Sequence, residues 1–457
     1  MSETSIQTED TPSGTTPRKA MFIVFLVVFI DLLGFGIVLP LLPLYGKHFV
    51  EPLFEGGETS KAGGAVVGLL MAMFSLMQFL FAPVWGRISD RVGRRPILLI
   101  GLAGSVVFYS LFGYASDMWS EPAAAALALT LLFIARIGAG IAGATISTAQ
   151  AVIADCTTPE RRKHGMALIG AAFGIGFTFG PLIGAGALEL LPDHLGVTGY
   201  VAAGLSFIAL LVAIAILPET RRFGEESAAR RKWFDTRAMR MALANPALAP
   251  VVWTFFLATL GFASFEVTLS LLNRDALGLN PERNFLIFAY VGFVLMLTQG
   301  VLYRRLAHKV SEPTFMAAGI VLMGGAVISL GGVTWTAAQR HGESVPAWLF
   351  AWALVSLTLA VVGFALLTPS AQALVSRRSD QERQGEILGV NQSAASMARI
   401  LGPIFGLTLY GLTPGHLLPY LFGGVLLLAM LPLIPAIRRG ESMAPHPPAS
   451  EAIKTAD

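Results

Sequence analysis

The chain has 457 residues, of which 54% are hydrophobic and 13% charged, and its formal net charge is +3. That charged share is about half the level of a soluble domain, which excludes a soluble multidomain enzyme, and the near-balance of charge gives no footing for nucleic acid. Cys156 is the only cysteine, so an intramolecular disulfide and a cysteine metal cluster are excluded. The seven His show no metal-ligand spacing, and neither a phosphate-cradling Walker loop nor a nucleophile–base pair is visible. The expectations are therefore no metal, no cofactor and no enzymatic activity.

In chain order, residues 1–20 are polar and rich in Ser, Thr and Pro, and read as a disordered tail. Apolar blocks follow. A hydrocarbon core about 30 Å thick needs roughly 20 apolar residues per helix. The blocks near 21–44, 64–85, 96–116, 122–146, 165–190, 197–218, 249–273, 284–303, 313–337, 346–372, 385–411 and 416–437 predict twelve spans. The first block is too long for a signal-peptide core and lacks a small-residue cleavage site. A basic stretch, 219–248, divides six helices (21–218) from six more (249–437). Residues 438–457 read as a second disordered tail.

Positive charge orients this all-α membrane protein. With the N-terminus in the cytoplasm, 25 of the 32 Lys and Arg fall on that side, 5 fall opposite and 2, Arg136 and Arg399, fall inside spans. Twelve spans with both termini cytoplasmic follow from that bias. The 48 glycines include many within spans, where small residues let helices approach closely. A weak repeat relates the halves: Gly86 to Arg95 begins the loop after span two as Gly300 to Leu306 begins the loop after span eight, and Gly180-Pro181 in span five matches Gly402-Pro403 in span eleven. Such six-helix repeats are a transporter architecture.

On these residues the chain resembles the major facilitator superfamily, and within it the twelve-helix drug:proton antiporters, closest to the Tet-type efflux proteins. Gly86, Asp90, Arg91, Gly93, Arg94 and Arg95, followed by Pro96, look like the family's signature between helices two and three. Arg136 with Gly140 and Gly143 looks like its helix-four arginine motif. Gly170, Gly174, Gly180, Pro181 and Gly184 look like the helix-five motif of antiporters. Asp31 to Gly36, with Pro40 and Pro43, resembles the Tet-type first helix. The resemblance implies proton-coupled export of a small drug-like molecule from the cytoplasmic (inner) membrane, with the proton gradient as energy source. It also implies a role in proton transfer for Arg136 and a gating role for the Gly86–Arg95 loop. Tet-type exporters of tetracycline carry a helix-eight histidine shortly before a glutamine. This chain reads Leu295-Met296-Leu297-Thr298-Gln299 there, which points away from tetracycline itself.

An ionisable group inside a span is a functional candidate by default. Asp31 reads as a carboxylate for a proton or cationic substrate, or as a hydrogen-bonding group between helices. Glu266, in the span that mates with span one, reads as a second such carboxylate or as a residue near the outer interface. Arg136 and Arg399 could bind an anionic group or form structural ion pairs. Asn391, Gln392, Ser393 and Ser396 precede Arg399 on one helix, so span eleven is expected to face a cavity, with Gln78 and Gln299 as further candidates. Asp90 is expected to gate through a partner helix, with Asp155 available to join it. The expected partners are a small-molecule substrate and the lipid bilayer, with the monomer as functional unit. An importer or exchanger of a metabolite or lipid, and a non-transporting receptor or scaffold, are the alternative readings.

Overall fold

The computed structural model describes residues 15–50, 52–53, 61–118, 124–156, 159–220, 236–340, 344–379, 384–413 and 415–440. Among the described residues there are helices and turns but no strand. Twelve long helical elements follow in order. They are α1 (Thr15–Val38, continued by Leu42–Val50), α2 (Lys61–Val92), α3 (Arg94–Asp117) and α4 (Ala125–Gly143, continued by Ile146–Cys156). Next come α5 (Pro159–Leu190), α6 (Val197–Ile216) and α7 (Ala249–Asp275), then α8 (Pro281–Leu306) and α9 (Glu312–Ala338). The last are α10 (Ala347–Arg378), α11 (Gln384–Tyr410) and α12 (Leu418–Arg439). Ten are long and apolar enough to cross a membrane. The other two are α5, whose apolar part is Gly174–Leu190, and α11, which carries the polar run from Asn391 to Arg399. A short helix, Thr236–Ala244, precedes α7.

Three expectations need correction. The Gly86–Arg95 stretch is not a loop: α2 stays helical to Val92 and α3 starts at Arg94. Only Gly93 breaks the run, at φ 114°, a backbone region that glycine enters without a Cβ penalty. The expected disordered tail 1–20 is helical from Thr15 onward. Span one breaks at residues 39–41 because Pro40 and Pro43 withhold the N–H groups that would bond Gly36 and Leu39. The remainder of the N-terminal tail, most of the basic stretch between the halves, and the C-terminal tail after Gly440 lie outside the described residues.

The two sets of six helices pack alike. In the first, α1 packs on α5, α3 on α6 and α4, and α2 on α4. In the second, α7 packs on α11, α9 on α12 and α10, and α8 on α10. The halves meet through α2 with α11 and α5 with α8, two contacts that a two-fold exchange of the halves interconverts. Glycine sets the closest crossings. A Cβ on Gly180 of α5 would lie 2.8 Å from the Leu33 carbonyl oxygen of α1, and one on Gly402 of α11 would lie 2.6 Å from Ala263 Cβ of α7. Neither leaves room for a side chain.

The glycine contacts between the halves lie toward Pro40, away from Gly93. Gly68 abuts Ile404, and Gly64 abuts Leu407. Gly292 of α8 lies against Phe177 of α5, and Gly184 of α5 against Phe285 of α8.

Candidate functional site

Asp31 is 8% exposed and lies two turns before the break in α1. The Ser105 hydroxyl of α3 donates to its Oδ1 at 3.1 Å, and the Tyr109 hydroxyl, one turn further along α3, reaches the Asp31 backbone oxygen at 3.5 Å. Tyr109 also fills the gap above Gly34, where a Cβ would approach its ring at 2.7 Å. Tyr109 interacts electrostatically with both Asp31 and Arg136.

Arg136 of α4 is 2% exposed. Its guanidinium lies 4.7 Å from the Phe74 ring centroid and 5.8 Å from that of Phe35, and its Nε has no hydrogen-bond partner among the described residues. Ring faces attract a desolvated cation by up to about 2 kcal/mol, which offsets only part of the burial cost of a charge. Phe35 touches Phe74 and Phe177 as well. Phe35 is one helical turn from Asp31, so acid, rings and guanidinium share one face of α1. Gly140 and Gly143 make this possible: Phe74 packs onto both, and the Gln78 amide donates to the Gly143 carbonyl at 3.2 Å. Gln78 therefore ties α2 to α4.

In the second half, Glu266 of α7 is half-buried and interacts electrostatically with Arg399 of α11. Arg399 and Gln392 are exposed, whereas Asn391 is buried, its Oδ1 without a partner among the described residues. Phe262, one turn before Glu266, stacks on Phe364 of α10 at 3.9 Å between centroids. Gln299 is half-buried in a π-helical turn, Thr298–Tyr303, a distortion frequent at functional positions.

At the Gly93 end the charged residues converge. Arg94 bonds Asp90 Oδ1 at 2.6 Å through Nη1 and Asp155 Oδ2 at 3.1 Å through Nε. Nη1 also reaches the Ser89 hydroxyl at 2.7 Å. Glu219, just past α6, accepts from the backbone N–H of Arg94 at 2.9 Å and of Arg95 at 3.1 Å. It thus caps the N-terminus of α3, where a carboxylate is favoured. Arg95 donates to the Ile214 carbonyl at 2.7 Å. Arg91 is exposed, and Gly86 leaves 3.9 Å between a built Cβ and the Ser147 hydroxyl. The cluster binds α2, α3, α4 and the end of α6 together. Asp90 pairs with Arg94, inside its own half.

On α5, Gly180 and Gly176 pack against α1, and Pro181 lies 3.2 Å from a Cβ built on Gly36. Gly184 meets Phe285 across the halves, whereas a Cβ on Gly174 would meet nothing within 4 Å among the described residues; Gly170 lies one turn before it. Sequence reasoning missed Phe35, Ser105, Tyr109 and Glu219. The i, i+4 spacing of Ser105 and Tyr109 on an otherwise apolar α3 was the available signal for that pair.

A model of the Major Facilitator Superfamily matches residues 24–356. The class E tetracycline resistance protein of Escherichia coli is 30% identical over 401 residues, covering 87% of this chain and 89% of that protein. Major facilitator superfamily domain-containing protein 10 of Homo sapiens is 28% identical, covering 86% of this chain and 88% of its own. The crystal structure of the human organic anion transporter MFSD10 (TETRAN) superposes with a TM-score of 0.64 at 26% identity, over 92% of this chain and 99% of that one. A D-xylose-proton symporter shares the fold at a TM-score of 0.73 and 18% identity, over 92% of this chain and 97% of that one.

Proposed function

The chain belongs to the Major Facilitator Superfamily, and from that premise we propose that it exports a small amphipathic or drug-like molecule across the cytoplasmic membrane in exchange for protons. One observation carries the reading. Each half carries an intramembrane carboxylate on its first helix, Asp31 or Glu266, associated with an arginine: Arg136 by way of Tyr109, and Arg399 directly. Intramembrane acids of this kind serve proton or ion pathways, and the matching helices α1 and α7 put one in each half.

The cycle is alternating access, with one six-helix half rocking against the other. Coupling requires proton and substrate to bind the two states with different free energy, and about 1–3 kcal/mol is a typical value. Asp31, sealed between α1 and α3, is the candidate for the coupled proton. Arg136 is linked to it through Tyr109, which interacts electrostatically with both. Glu266 and Arg399, the more accessible pair, are the candidates for substrate contact, with Gln392 two turns before Arg399 on α11 and Gln299 on α8 as further candidates. Asp90, Arg94, Asp155 and Glu219 hold the helix ends that must move as a unit during rocking. The positive-inside bias supports a cytoplasmic Gly93 end and cytoplasmic termini. The contacts toward Pro40 then support a state closed on the outer face. The proton gradient supplies the energy, and the monomer suffices.

The test is transport in proteoliposomes under an imposed pH gradient, with a cationic dye, tetracycline and an organic anion as separate probes. Uphill movement of at least one probe that collapses when a protonophore is added is the expected result. Gradient-independent equilibration of every probe would refute proton coupling, and no movement of any probe would refute export.

A further inference from the structure

The break in α1 frees a carbonyl. Pro40 lies between the two helical pieces, in residues 39–41, and its oxygen accepts from the opposite half. The Ser270 hydroxyl of α7 donates to it at 2.8 Å and the Asn284 amide of α8 at 3.1 Å. Asn284 Nδ2 also reaches the Ser270 hydroxyl oxygen at 3.2 Å, and Asn273 Nδ2 donates to Asn284 Oδ1 at 2.7 Å. Ser270, Asn273 and Asn284 are 0%, 1% and 2% exposed.

The α7–α8 connection builds this group. Gly278, at φ 63°, ends α7 with its N–H on the Arg274 carbonyl, the left-handed cap that glycine suits. Asn280 caps α8 by accepting from the Arg283 N–H at 3.0 Å, with Pro281 at the helix start. The tight turn brings Asn273 and Asn284 side by side, facing the break.

We infer that Ser270, Asn273 and Asn284 are positioning residues of the transport cycle: a buried latch that holds the Pro40 end of the two halves closed through the Pro40 carbonyl. The inference rests on the alternating-access reading. When the end is closed, every donor in the group must find its partner inside the protein, since an unsatisfied buried polar group is costly. When the end opens, water replaces each partner. Deleting one member therefore penalises the closed state alone and shifts the balance toward opening. The bonds involve no ionised group, so this bias is independent of protonation of the latch itself.

The experiment uses the full chain in lipid nanodiscs without ligand, with Cys156→Ser as background and spin-label distances at both ends. Labels at Leu190 and Arg283 report the Pro40 end, and labels at Val92 and Arg305 report the Gly93 end; all four positions are exposed. Asn284→Ala is expected to raise the open-to-closed ratio at the Pro40 end about tenfold, with a matching shortening at the Gly93 end. Ser270→Ala, which keeps the Asn284 bond to Pro40, is expected to shift it less and guards against a variant that fails to fold. Gly292→Leu, a wedge against Phe177, is the independent perturbation. If Gly292→Leu exchanges the two ends but both latch variants leave the distances unchanged, the latch is refuted and alternating access stands. If no variant, the wedge included, moves either distance, alternating access fails and takes the latch with it.

Discussion

The two halves share one packing frame and differ in how they hold charge. The first helix crosses the fifth over Gly180 in one half, and the corresponding pair crosses over Gly402 in the other. Yet Asp31 is sealed, with a hydroxyl on its carboxylate, and Arg136 is buried against aromatic rings. Glu266 is half-buried and Arg399 exposed. The helix ends differ too. In the first half Asp90, Asp155 and Glu219 gather around Arg94 and Arg95. In the second, Arg378 is buried and spends its donors on the Ala247 and Ile437 carbonyls, while Arg377 pairs with Glu312. The halves share the glycine crossings, where any side chain clashes, and differ in the polar residues between them. On the proposed reading the first half takes the proton, which needs little room, and the second the larger solute.

The largest expected effect tests that division at Asp31. Asp31→Asn keeps the shape and can still accept from Ser105, but it cannot release a proton. Proton-driven export is expected to fall to background while the protein still inserts and shows an unchanged helical circular dichroism spectrum. Substantial pH-gradient-driven export by the variant, measured in inverted vesicles, would break the assignment.

Glu266→Gln comes next. With the carboxylate on the substrate side, export of a cationic probe is expected to drop about tenfold, the scale of one charge-assisted contact, while a neutral probe keeps most of its rate. Equal loss for both probes would move Glu266 to the proton side and erase the distinction between the halves.

The frame was legible in the residues because its causes are local. Long apolar blocks set the spans, arginine placement set the proposed sidedness, and Gly180-Pro181 with Gly402-Pro403 exposed the repeat. What escaped was set by distant contacts. Nothing near Asp31 announces Ser105, 74 residues away, and Phe74 reads as packing until Arg136 is seen over its ring. Glu219 looks like one more loop acid until the N–H groups of Arg94 and Arg95 converge on it. The Gly86–Arg95 stretch was mistaken for a loop because its arginines suggest solvent. Charge there is compatible with a helix that simply outruns the bilayer, and only Gly93, with its positive φ, has to leave the helix. The latch was out of reach because its acceptor is a backbone carbonyl.

Asp90→Asn is expected to act on the other difference, the acidic helix ends of the first half. It removes one of two carboxylates on Arg94, at a site 43% exposed, so solvent screening keeps its energetic weight small. Turnover is expected to slow about threefold with little change in apparent substrate affinity, read as a kcat-against-KM split in proteoliposome flux. A rise in KM at constant kcat would place Asp90 at the substrate site instead.

The smallest expected effect reads the same cluster through a reporter that transport does not touch. Cys156 follows Asp155 at the end of α4, and its thiol is pushed up to about 11, first by burial and then by the charge of Asp155. The thiolate is the reactive form, so alkylation by iodoacetamide at pH 8 is expected to be slow and to accelerate as pH rises toward that value. Asp155→Asn removes the anion that disfavours the thiolate. The thiol is then expected to ionise at lower pH and the labelling rate at pH 8 to rise by a few fold. The same change also frees Arg94 from one partner, and a loosened cluster could raise the rate by exposure alone. Asp90→Asn separates the two causes, because it too strips a carboxylate from Arg94 but leaves the charge beside Cys156 in place. Acceleration in Asp155→Asn alone, with the pH profile displaced to lower pH, is the electrostatic result. Equal acceleration in both variants with the profile unmoved would mean that the acids of the first half hold their helix ends by packing the cluster shut, and that Asp155 does not set the state of its neighbour.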